Sequence, residues 1–116
     1  SVVRLVRLRF VDEKPFDIVT NFLPAQRFPG LEKLDLATSL YAILRNQYGV
    51  KFDHGTRRIE AGALPPHEAK LLHVKSRAPM LVSYSTMFDD LGRAIEHGVV
   101  HQRSDTAQIV IDVIAQ

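Results

Sequence analysis

The feature that most constrains this chain is a change in the period of its apolar residues. From Val2 to Val11 the residues alternate, with Val6, Leu8 and Phe10 on one side and Arg7 and Arg9 on the other, the period-2 pattern of a half-buried strand. Asp12-Glu13-Lys14-Pro15 reads as a turn. Phe16, Ile18, Thr20 and Phe22 then resume the alternation as a second strand, so the opening segment predicts a β-hairpin that Pro24 to Gly30 brings to an end. Beyond Gly30 the period becomes helical. Leu40, Ile43, Leu44 and Tyr48 predict a helix from about Ser39 to Tyr48, with Thr38 as N-cap, Asp35 as the alternative, and Gly49 at the C-terminal position that favours glycine.

The remainder is β-rich. Val50 to Ala63 has strand character, and Pro65-Pro66 is placed to open a short helix through Leu72. Met80 to Phe88 and Arg93 to Arg103 read as two strands around the turn residues Asp89-Asp90-Leu91-Gly92. Thr106 to Ile114, apolar on both faces, predicts a final strand. The order ββαβαβββ, largely hairpin-connected, defines an α+β fold: a mostly antiparallel sheet of about six strands with helices packed against it. With 116 residues and neither a repeat nor a long linker, residues 1–116 form a single domain. A compact chain of this length has a radius of gyration of about 13 Å.

Charge and composition exclude several functions. Fifteen Lys and Arg against thirteen Asp and Glu leave +2, and no run of like charge forms the concentrated basic face that phosphate backbones or anionic membranes require. The absence of cysteine excludes disulfides, thiolate metal sites and cysteine nucleophiles. With no apolar stretch of about 18 residues and no secretory leader, the expectation is a cytoplasmic protein without a membrane partner. The chain starts in a strand-like run with no initiator Met, from which a further segment is expected upstream.

Catalytic and metal-binding patterns are weak. His97 and His101 fall four apart on a predicted strand, about 13 Å rather than ligand distance, and His54, His67 and His73 lack ligand-spaced partners. Neither a nucleophile elbow nor a glycine-rich phosphate loop occurs. Asp89-Asp90 is accounted for by turn chemistry. Two features point to anion binding instead. Arg7 and Arg9 project from one face of the first strand, about 6.6 Å apart, close enough to share a phosphate or carboxylate. Thr38-Ser39-Leu40-Tyr41 opens a helix, whose free N–H groups and positive dipole end favour anions, and the Ser39 and Tyr41 hydroxyls add donors.

In order and spacing, Arg7-Leu8-Arg9, the Pro15–Pro24 arm, Phe28-Pro29-Gly30-Leu31, Ser39-Leu40-Tyr41 and Tyr48-Gly49 resemble the UTRA domain. That is the effector-binding half of GntR-type bacterial regulators of the histidine-utilisation-repressor subfamily. Ile59-Glu60-Ala61, Leu71-Leu72, Pro79, Asp90, Gly92-Arg93 and Glu96 extend the match along essentially the whole chain. The resemblance implies a chorismate-lyase-like fold and a separate N-terminal winged helix-turn-helix, through which alone DNA would be bound. It also implies an effector site in which Arg7, Arg9, Ser39 and Tyr41 receive a phosphate and Glu96 holds sugar hydroxyls.

Two departures bear on the effector. Val19 stands where the family commonly has a glutamate, and His101 to Ala107 replaces a tyrosine-rich stretch. They point to a less hydroxylated or more apolar ligand, or to a carboxylate at the arginines. The expected protein is therefore a homodimeric, non-enzymatic sensor of a phosphorylated sugar or small carboxylate, using no cofactor and no metal. The alternative is a chorismate-lyase-like enzyme acting on a small carboxylate.

Overall fold

The opening hairpin forms as its alternation predicts. In the computed structural model, which describes residues 1–115, β1 (Val2–Val11) and β2 (Lys14–Pro24) pair antiparallel. Asp12 and Glu13, at φ 49° and 66°, make the two-residue turn, the positive φ at both positions matching the twist of the strands. The chain continues through α1 (Leu40–Tyr48), β3 (Phe52–Ala63), α2 (Pro66–Leu71), β4 (Pro79–Asp89) and β5 (Ala94–Arg103). The strands form one sheet in the order β1-β2-β5-β4-β3, every neighbouring pair antiparallel.

Side chains alternate between the two sheet faces, and each face has its own core. Leu23 belongs to a cluster with Phe28, Leu31, Leu40, Leu44, Val50 and Ile95, which seats α1 and the loop before it. Ile18, of opposite parity on β2, belongs to a cluster with Leu64, Ala69, Leu72, Met80 and Val82 under α2. The N-cap of α1 is Ser39 rather than Thr38 or Asp35: its Oγ accepts from the Ala42 N–H at 3.3 Å. Asp35 and Thr38 instead close the preceding turn, Asp35 Oδ1 accepting from the Ala37 N–H and the Thr38 hydroxyl donating to the Asp35 carbonyl. Gly49, at φ 66°, ends the helix as expected.

Asp89 fixes the turn between β4 and β5. Its Oδ1 accepts from the Leu91 and Arg93 amides at 3.0 and 2.8 Å, and its Oδ2 takes the Arg93 guanidinium at 2.8 Å. Burial alone would raise the Asp89 pKa, but these hydrogen bonds outweigh it and hold the carboxyl below its ordinary value.

Two further expectations are corrected. Thr106–Ile114 is not a strand: a 3-10 turn spans Ser104–Thr106, and residues 107–115 pair with nothing in the sheet, leaving five strands rather than six. An apolar β-branched run supplies propensity, but a strand also needs an edge to pair with, and neither edge of this sheet takes the segment up. Second, the radius of gyration is 15.8 Å, above the value for a compact chain, because the sheet is broad and only partly covered. β3 is exposed along nearly its whole length.

Replacing fully buried Leu44 by Ala is expected to cost about 2–5 kcal/mol. Ile111→Ala, at an exposed position, should stay within about 0.5 kcal/mol, both read from urea denaturation. The lowered Asp89 pKa means its contribution is complete above the unfolded-state pKa and is lost as pH falls through the folded-state value. Asp89→Asn should therefore flatten the acid limb of a melting-temperature profile.

Candidate functional site

Strand parity places Arg7 and Arg9, Asp17, Val19 and Asn21, Glu96 and Gly98, Ser85, and Arg57 on one face of the sheet. One register line runs Asn21, Gly98, Ser85, Arg57 across four strands. Residues 36–41, ending in the first turn of α1, stand over that face and enclose a cleft of about 860 Å³, within the size range of small-molecule sites.

The polar groups in the cleft form two connected sets. Arg9 donates from Nε and Nη2 to both oxygens of Asp17, at 2.7 and 2.5 Å, and Asp17 is only 1% exposed. This pairing raises the Arg9 pKa against the effect of its partial burial. The second set begins at Arg7, whose Nη2 donates to Asn21 Oδ1 at 3.0 Å. Asn21 Nδ2 donates to Glu96 Oε2 at 2.6 Å, and the Tyr41 hydroxyl donates to Glu96 Oε1 at 3.1 Å. Glu96 is 3% exposed, so these two donors carry most of the compensation that a buried carboxylate needs.

Arg7 is the strained member. Its Nε is buried with no hydrogen-bond partner. Desolvation first, and the charge of Arg9 second, lower its pKa, while Asp17 and Glu96 oppose the shift. Tyr41 is pushed the other way, to about 12, by burial and then by the Glu96 charge and hydrogen bond, with Arg57 and Arg45 partly opposing. At neutral pH the Tyr41 hydroxyl is therefore a donor. Ser39 lines the cleft as the cap of α1, whose first-turn N–H groups have no acceptor within the helix.

All five residues singled out from the sequence, Arg7, Arg9, Ser39, Tyr41 and Glu96, line this one cleft. Sequence reasoning missed Asp17, Asn21, Gly98, Ser85 and Arg57. Asp17 and Asn21 left a usable signal, being polar residues four apart in an otherwise apolar strand, in register with the arginine-bearing face of β1. Gly98 is required by space: a Cβ there would lie 2.8 Å from Glu96 Oε2 and 3.4 Å from Asn21 Nδ2. His97 and His101 share the opposite face, where His97 contacts the Thr86 hydroxyl and His101 meets Glu68 of α2 at 2.5 Å.

An antiparallel sheet whose arginine-lined cleft opens beneath a helix N-terminus is suited to holding a small anionic molecule. Residues 1–108 match the family described as the UTRA domain, and the chain belongs to that family. It is 35% identical over 96 residues to the HTH-type transcriptional repressor PhnF of Mycolicibacterium smegmatis, covering 82% of this chain and 39% of that protein. It is 30% identical over 106 residues to the HTH-type transcriptional regulator GgaR of Escherichia coli, covering 90% of this chain and 41% of that protein. The crystal structure of the effector domain of PhnF superposes with a TM-score of 0.93 at 31% identity, covering 98% of this chain and 70% of that one. The chain thus spans about two fifths of the length of these curated relatives. It is a regulatory domain of the type found in GntR-family transcriptional regulators. No helix among the described residues is long and apolar enough to cross a membrane.

Asn21→Ala leaves Glu96 with one of its two donors, and the expected loss is about 1–3 kcal/mol by denaturant titration. Gly98→Ala should break the same contact by displacing the Glu96 carboxylate, with the fold retained. Because the folded-state Tyr41 pKa lies above its unfolded value, its contribution is complete below pH 10.0 and falls away as pH rises toward about 12. Ultraviolet titration should show one tyrosine ionising late, and Tyr41→Phe should remove that late step.

Proposed function

We propose that this domain is the effector-sensing and dimerising part of a cytoplasmic bacterial repressor. In this reading a small anionic metabolite, a phosphorylated sugar or a small carboxylate, binds in the cleft between the sheet and α1. The observation that carries it is Arg7, a half-buried cation lining the cleft, with no carboxylate at ion-pair distance among the described residues and a buried Nε donor that lacks an acceptor. Leaving such a donor unmatched costs about 1–3 kcal/mol, which an anion accepting from it removes. Ser39 and the first turn of α1 supply further donors to the same anion, and Glu96 retains acceptor capacity for a hydroxyl.

Binding would act on DNA through a separate N-terminal domain. The ligand changes the relative stability of two arrangements of a dimer by as much as its affinities for them differ. Association is supported by apolar surface. Ile109, Val110, Ile111, Val113 and Ile114 are exposed, Val113 at 90%, and Val6 and Phe10 add to it on β1. A segment of strand-forming sequence with no partner in its own sheet is suited to pairing with a second copy.

Thermal shift against phosphorylated sugars and small carboxylates tests the ligand reading. A compound present at about 100 times its Kd should stabilise the domain by about 2.7 kcal/mol, and Arg7→Ala should abolish the shift. A panel in which no compound distinguishes the wild type from Arg7→Ala would refute the anion site. For the dimer, analytical ultracentrifugation should show two copies, and Ile111→Asp combined with Val113→Asp should give one.

A further inference from the structure

The cleft contains three arginines, and their partners separate them. Arg9 is held by Asp17 through both carboxylate oxygens, so its charge is balanced within the chain. Arg7 and Arg57 have no carboxylate at ion-pair distance among the described residues. Arg58 shows what an ordinary arginine on β3 does: it pairs with Glu60 at 3.0 Å and lies 4.4 Å over the Tyr84 ring, on the other face of the sheet.

Arg57 sits on an edge strand, where its side chain has water on one side. Instead its Nε donates to Ser85 Oγ at 2.9 Å, one strand inward, and both residues line the cleft. The remaining guanidinium donors stay available, since Arg carries five in a fixed fork. The charge is also felt within the site, where it opposes the upward shift of the Tyr41 pKa.

Arg7 is anchored to Asn21 on β2, and Arg57 is anchored to Ser85 on β4. β5 lies between these strands, with Gly98 in register with both anchors. Two strand spacings, about 10 Å, separate the backbones of Asn21 and Ser85, so each guanidinium has its own anchor on opposite sides of β5. The floor between them carries no side chain at Gly98, with the Glu96 carboxylate adjacent.

The geometry points to an effector with two acidic groups, one received by Arg7 beside the first turn of α1 and the other by Arg57 with Ser85, joined by a hydroxyl-bearing spacer over Gly98. This inference rests on the cleft being the effector site. It assigns Arg57 and Ser85 the role of selecting diacids over monoacids, as charge-assisted forks do when each acid has its own guanidinium.

Calorimetric titration of the chain with 6-phosphogluconate and sorbitol 6-phosphate tests it, since these six-carbon phosphate esters differ in the carboxylate at the far end. The wild type should bind 6-phosphogluconate at least about tenfold more tightly. Arg57→Gln should remove that preference by weakening 6-phosphogluconate far more than sorbitol 6-phosphate, Ser85→Ala should reduce it, and Arg7→Gln should weaken both ligands. Equal binding of the two esters, unaltered by Arg57→Gln but lost in Arg7→Gln, overturns the diacid assignment and leaves the anion site standing. Failure of both esters to bind the wild type overturns the anion site and the diacid assignment together.

Discussion

The structure depends on how one sheet face accommodates two buried carboxylates. Asp17 and Glu96 are almost fully removed from water, and each would be strongly unfavourable without donors. Arg9 neutralises Asp17, while Asn21 and Tyr41 hydrogen-bond to Glu96. These contacts tie β1 to β2, β2 to β5, and α1 to the sheet, so the same bonds that compensate the carboxylates fix the walls of the cleft. Arg7 is left in a setting that desolvates it without giving it a carboxylate of its own, which is the condition for recognising an anion from outside.

This arrangement gives the two faces of the sheet different roles. The face under α2 is conventional, with Ile18, Met80 and Val82 packed on Ala69 and Leu72. The face under α1 is divided between an apolar part, where Leu23, Leu40 and Leu44 meet, and a polar part that holds the cleft. Cap and cleft are coupled through Ser39, which caps the start of the helix and also lines the site. A ligand at the first turn of α1 therefore bears directly on the element that rests on the larger core, a physical route from binding to a change in the domain's shape.

Most of the fold was legible from local patterns. The β1–β2 hairpin, α1 with its Gly49 terminator, the proline-initiated α2 and the Asp89–Gly92 turn each rest on chemistry within a few residues. Thr106–Ile114 failed because its propensity was satisfied by no edge. The burial of β1 was also misleading. Val6, Leu8 and Phe10 form the apolar side, yet Val6 and Phe10 are exposed, while Val3, Leu5 and Arg7 on the other side are partly buried. Alternation identifies two faces, but not which of them another element will cover.

By itself, the sequence determined the period of most elements, their turns and the near-neutral charge, and it singled out Arg7, Arg9, Ser39, Tyr41 and Glu96, which line one cleft. These follow from local backbone preferences and from a family likeness carried by ordered motifs. Tertiary structure alone decided which charges are free. Arg9 and Asp17 are eight residues apart, Asn21 and Glu96 seventy-five, and Arg57 reaches the cleft only because β3 lies beside β4. Whether an arginine is a structural ion pair or a waiting ligand contact depends on which carboxylates folding brings within reach, and sequence spacing does not contain that distance.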